Sequence, residues 1–136
     1  AEAVVVFGRP EWLEGLERRR KRGGHLLSKM RYVSAQLLAM LNNELWLEIA
    51  RIANARAADL AAVVEASGIA ELQWPVEANE VFMRADPEIL AGLKDKGFEF
   101  HIWPGYDNLA RLVCTFATST AQISEFLSAL EAMERA

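Results

Sequence analysis

The chain has 136 residues, 52% hydrophobic and 25% charged, with a formal net charge of -4, a balance that fits one soluble globular domain. The acidic excess argues against a general nucleic-acid binder, which neutralises phosphates with Lys and Arg, and confines any anion site to a local cluster. A lone cysteine, Cys114, excludes an internal disulfide framework; no His and Cys cluster has metal-ligand spacing, and no run of about 18 apolar residues or leader-like pattern marks a membrane or exported chain, so a cytoplasmic protein is expected.

The sequence opens at Ala1 without methionine and runs into Val4, Val5, Val6 and Phe7 before the turn signal Gly8-Arg9-Pro10. An unbroken β-branched run suits a strand covered on both faces of a sheet. Every other candidate strand lies far downstream, so its neighbours are expected in a preceding domain; a short natural protein that has lost its initiator methionine is the alternative. Pro10 suits the first turn of a helix in which Glu11, Glu14 and Glu17 come early and Arg18 to Arg22 late, and Gly23-Gly24 ends it. From His25 to Asn43 a second helix carries Leu26, Leu27, Met30, Val33, Leu37, Leu38 and Met40, too many apolar groups for one wet face. It is expected to be buried, with a subunit interface as one way of burying it. A third helix, from Glu44 to Ser67, sets Leu45, Ile49, Ile52, Leu60 and Val63 on one side and stops at Gly68.

Beyond Gly68 the texture changes to short apolar strands separated by turn residues: Ile69 to Gln73, Glu80 to Arg84, Phe98 to Trp103 and Leu109 to Phe116. Asp86-Pro87-Glu88 reads as an N-cap, a first-turn proline and an early acid, opening a helix that Gly97 closes. Ser119 with Gln122 reads as a capping box, and Ile123, Phe126, Leu127, Leu130 and Met133 make the apolar stripe of a last helix. The order strand, strand, helix, strand, strand, helix predicts an α+β unit: long helices, then a mainly antiparallel sheet with helices on one face. Residues 1–67 and residues 68–136 are the two expected divisions.

Arg111 stands out because it interrupts Leu109, Ala110, Leu112 and Val113 in a strand. A buried guanidinium is costly unless it meets an anion, and its planar fork suits a carboxylate held by two parallel hydrogen bonds. A structural ion pair with Glu77, Glu80 or Glu99, or an edge-strand arginine facing water, is the plainer alternative.

Three stretches, RRRKRGGHLLSKMR at 18–31, PVEANEVFMR at 75–84 and ARLVCTFATS at 110–119, resemble in order and separation the C-terminal region of the low-specificity threonine aldolases. Even AEAVVVF resembles the strand that follows that family's cofactor lysine. The resemblance implies a fold-type I enzyme dependent on pyridoxal phosphate, with residues 1–67 closing the cofactor domain and adding interface helices, and residues 68–136 forming the small C-terminal domain. The full-length enzyme would cleave L-threonine or L-allo-threonine, or 3-hydroxy amino acids generally, to glycine and an aldehyde as a homodimer or homotetramer.

By the same resemblance Arg111 matches the arginine that binds the substrate carboxylate. Arg31 matches one associated with the cofactor phosphate, and Lys21 falls near a lysine that reaches the active site, although the glycine count after it differs by one. Unaided by resemblance, Arg31 reads equally as a surface arginine, and the run Arg18 to Arg22 as a solvated helix end. Asn79 reads as turn support, His25 and His101 as packing or surface residues, and Cys114 as core. None of Lys21, Lys29, Lys94 and Lys96 occupies the family's cofactor-lysine context, so this chain by itself is expected to be inactive and not to bind pyridoxal phosphate. Two alternatives remain: a non-catalytic α+β module that binds a small ligand or protein, and a related β-eliminating lyase or aminotransferase.

Overall fold

The computed structural model describes residue 5 and residues 7–135, and the chain divides into two compact units, Ala1–Trp46 and Leu47–Ala136. The strand expected over Val4 to Phe7 lies, at Val4 and Val6, outside the described residues.

In the first unit, α1 (Glu11–Arg22) follows Pro10, carries Glu11 and Glu14 in its first turn and ends on Arg19, Arg20, Lys21 and Arg22, so its charges complement the helix dipole. Glu14 and Arg18 pair one turn apart at 3.1 Å. Gly24 then turns the chain at a φ of +74°, a conformation that favours glycine. Next, α2 (Met30–Leu41) begins at Met30 rather than at His25. The burial expected of this helix is not found within the chain: none of its residues is buried, and Leu38 and Leu41 are 60% and 64% exposed. A 3-10 turn at Asn42–Glu44, with Asn43 and Glu44 both at positive φ, leads into the next helix.

The second unit takes in most of that helix, α3 (Leu45–Ala66), followed by β1 (Ala70–Leu72), β2 (Glu80–Ala85), α4 (Pro87–Asp95), β3 (His101–Ile102), β4 (Leu109–Val113) and α5 (Thr120–Glu134). The strands form one antiparallel sheet in the order β1-β2-β4-β3. Residues of β2 alternate without exception, with Val81, Met83 and Ala85 buried and Glu80, Phe82 and Arg84 on the other face. The buried set meets Ala57, Leu60 and Val64 of α3, Leu90 and Leu93 of α4, and Phe126 and Leu130 of α5 in a single core. All three helices therefore cover one face of the sheet, as expected for the α+β class. Because α3 packs into this core, the compact unit takes in the helix and starts at Leu47.

Local signals fix several boundaries. Ser119 and Gln122 form the expected reciprocal capping box, the Gln122 N–H donating to Ser119 Oγ at 3.2 Å and the Ser119 N–H to Gln122 Oε1 at 2.8 Å. Gly68 and Gly97, at φ of +68° and +91°, follow α3 and α4. Asp86 occupies the N-cap position before Pro87, yet its side chain caps nothing. Its carbonyl instead accepts the Leu90 N–H at 3.1 Å.

Strand β1 is one residue shorter at each end than the sequence suggests, and β3 and β4 are shortened for identifiable reasons. Phe98 donates its N–H to Leu93 at the end of α4 and packs edge-to-face on Phe126 of α5 at 5.1 Å, so the stretch Phe98 to Trp103 pairs only at His101–Ile102. Past Val113, Thr115 and Thr118 fold into a turn in which the Thr118 N–H donates to the Thr115 carbonyl at 3.1 Å, and β4 stops there.

Candidate anion site on the open face of the sheet

The sheet face away from the helices carries Glu80, Phe82 and Arg84 from β2 and Arg111 and Val113 from β4. Cross-strand register sets Arg111 between Phe82 on one side and His101 on the other. Trp103 follows β3 and donates its backbone N–H to the Leu109 carbonyl at 2.7 Å, which brings its ring to 5.3 Å from Arg111 Cζ. The indole face thus supports the guanidinium by cation–π attraction. An aromatic row extends from there, edge to face at each step, from Trp103 to Phe82 at 5.4 Å, to Trp74 at 5.0 Å and to Tyr106 at 5.5 Å.

The two arginines of this face are held in opposite ways. Arg84 is bonded through all three of its nitrogens: its Nε and Nη2 donate to Gln73 Oε1 at 3.0 and 2.5 Å, and its Nη1 to the Asp107 carbonyl at 2.6 Å. Arg111 is not, since its Nε is buried with no hydrogen-bond partner and its Nη1 lies 3.5 Å from Glu80 Oε1, an ion pair too long for a charge-assisted hydrogen bond. Leaving a buried donor unmet costs about 1–3 kcal/mol, so Arg111 sits where the protein tolerates an unfinished polar group.

Of the residues singled out in the sequence, Arg111, Glu80 and His101 come together on this face of the second unit. Lys21 and Arg31 are exposed side chains of the first unit, on α1 and α2; the Arg31 guanidinium stacks 5.1 Å from the Tyr32 ring. Among the described residues neither forms an ion pair, so both present a free cation to any anion. By donor chemistry the Arg31 guanidinium suits a phosphate and the Arg111 guanidinium a carboxylate.

Asn79 is structural, as expected, donating its side-chain amide to the Cys114 carbonyl at 2.8 Å. Cys114 is core, 2% exposed, and burial, with the Asp59 carboxylate second, holds its thiol above the ordinary range. Among the described residues no group of His, Cys, Asp or Glu is placed to hold a metal ion, and no helix is long and apolar enough to cross a membrane.

Sequence reasoning passed over Trp103, Phe82 and Trp74, and set His101 aside. The one signal available was the alternation Glu80, Phe82, Arg84, which places a large aromatic on the uncovered face between two charges.

No protein-family model matches the chain. It is 35% identical over 132 residues to the low specificity L-threonine aldolase of a Pseudomonas species, covering 97% of this chain and 38% of the relative. It is 33% identical over 124 residues to the low specificity L-threonine aldolase of Pseudomonas aeruginosa, covering 91% of this chain and 35% of that protein. Among solved structures, the threonine aldolase of Leishmania major superposes with a TM-score of 0.76 at 27% identity over 86% of this chain and 34% of that one. The chain therefore spans little more than a third of the length of the curated relatives it matches, and the resemblance drawn from its three sequence stretches is borne out in both sequence and fold.

Proposed function

We propose, from the premise that this chain is similar along almost all its length to low specificity L-threonine aldolases, that it supplies the C-terminal portion of a lyase that splits 3-hydroxy amino acids into glycine and an aldehyde. L-Threonine and L-allo-threonine are the proposed substrates, pyridoxal phosphate the cofactor, and a cytoplasmic homodimer or homotetramer the working form. The observation that carries the reading is Arg111: a guanidinium braced by Trp103 in the middle of a sheet face, whose ion-pair partner Glu80 stands 3.5 Å off and leaves its terminal nitrogens without a short hydrogen bond among the described residues.

The residues divide the work by charge. Arg111 takes the substrate's α-carboxylate, which is the one group every amino acid presents, and its planar fork fixes the carboxylate's orientation as well as its position. Fixing the carboxylate restricts rotation about Cα and so selects the bond to be cleaved. Pyridoxal phosphate, when bound, supplies the sink for the electrons released at Cα. In this reading Arg31 holds the cofactor's phosphate, Lys21 reaches toward the active site as a further cation, and the cofactor-bearing lysine is none of the four in this chain.

The experiment is to assay the enzyme that contains this chain for glycine formed from L-threonine and L-allo-threonine with pyridoxal phosphate, alongside R111A. Cofactor-dependent activity with a KM raised roughly ten- to hundredfold in R111A is expected, the equivalent of losing hydrogen bonds to a charged group. The 136-residue chain alone should give neither activity nor a cofactor absorbance that borohydride fixes to a lysine. One observation favours a second reading, a non-catalytic α+β module: Arg111 does have an internal acidic partner in Glu80. Absence of glycine formation by the unaltered enzyme with cofactor present would select that reading.

A further inference from the structure

We infer that Glu80 is an internal competitor for Arg111, a carboxylate of the chain's own that occupies Nη1 until a substrate carboxylate displaces it. This rests on the reading of Arg111 as the substrate's carboxylate anchor.

The register puts the two groups together. Phe82 is directly opposite Arg111 and Glu80 opposite Val113, so Glu80 is the diagonal neighbour of Arg111 on the same open face. Its backbone cannot drift, because Asn79 next to it is bonded to Cys114 through both its side chain and its carbonyl, each at 2.8 Å. The carboxylate itself is loosely held. It stands 3.5 Å from Nη1, and its side chain is 41% exposed against 33% for Arg111. Pairs of this exposure add little to stability, so Glu80 is poorly explained as a structural brace. The contrast with Arg84, bonded to Gln73 and to the Asp107 carbonyl, shows what a structural arginine on this face looks like.

Burial then decides which edge of the guanidinium a ligand can use. The Nε atom is covered, so the fork available to an incoming carboxylate is the terminal pair, Nη1 and Nη2. Two parallel hydrogen bonds on that edge use one of the two N–H groups of Nη1, the atom beside Glu80, and so bring a second carboxylate next to Glu80 around a single cation. The two anions repel each other, and each weakens the other's hold on Arg111. Glu80 withdraws toward solvent when a carboxylate binds and returns to Nη1 as glycine leaves, which keeps the cation paired between turnovers at some cost in substrate affinity.

The test uses the cofactor-loaded enzyme that contains this chain and the isosteric E80Q, which keeps the size of the side chain and removes its charge. KM for L-threonine is expected to fall about two- to fivefold, the range that a half-exposed ion pair is worth, with the change carried by KM rather than kcat. A second readout needs no activity: glycine titrated onto the 136-residue chain, followed at the Trp103 indole and Arg111 Nε–H resonances, should reach its midpoint at lower concentration in E80Q. A KM that is unchanged or raised in E80Q, while R111A raises KM strongly, overturns the competitor and leaves the carboxylate anchor standing. An R111A enzyme with unaltered KM overturns both.

Discussion

Asn79 and Cys114 close the β2–β4 ladder from both directions: the Asn79 side-chain amide donates to the Cys114 carbonyl at 2.8 Å, and the Cys114 N–H donates to the Asn79 carbonyl at 2.8 Å. One residue past this clasp lies Glu80, and on the strand it fastens lies Arg111, so the clasp sets the start of the strand that faces the candidate site.

The clasp should be measurable as stability. Asn79→Ala strands a backbone carbonyl at a largely buried strand end, and a loss of about 1–3 kcal/mol is expected. Chemical denaturation of the 136-residue chain reads this as a lower midpoint at an unchanged slope. A midpoint within error of the parent would mean that water replaces the amide freely and that the ladder does not depend on it.

Cys114 gives the stability a dependence on pH. Burial first, and Asp59 second, raise the folded thiol above its unfolded value. The unfolded chain then releases its proton before the folded one, so stability is intact below the unfolded thiol's range and falls as pH climbs from there through the folded value. Cys114→Ala should flatten that alkaline slope, measured by denaturation across mildly alkaline pH. In the same range the native thiol should react with a thiol reagent far more slowly than the unfolded chain, its Sγ being shielded in the core.

Helix α2 carries the expectation about assembly. Tyr32, Leu38 and Leu41 are 57%, 60% and 64% exposed, an apolar surface of the kind that marks a protein contact. In the enzyme that contains this chain, L38E together with L41E should shift sedimentation toward smaller species, with the dissociation constant raised at least about tenfold. An unchanged sedimentation profile would remove α2 from the interface.

Much of the fold is local and was therefore legible in the residues. The capping box of Ser119 and Gln122, the stops at Gly68 and Gly97 and the alternation of β2 depend on neighbours within a turn or a pleat, where spacing alone states what each side chain meets. The same is true of Arg111 as an anomaly, a charge inside an apolar run. The lengths of β3 and β4 were not legible. Phe98 leaves the strand to pack on Phe126 of α5, and β4 yields after Val113 to a threonine turn, and both choices weigh a local strand preference against contacts elsewhere in the chain.

Local patterning was enough to give the α+β class, the helices that cover the sheet and Arg111 as a charge inside an apolar strand. The tertiary structure decided what surrounds that arginine. Glu80, Phe82, His101 and Trp103 reach Arg111 only through antiparallel register, and a shift of one residue would turn the whole set to the opposite face. Which guanidinium nitrogen is covered and which is left for an anion follows from that register and from the ring of Trp103 packed against Cζ. Residues far apart in the chain have no common spacing from which such an arrangement could be read.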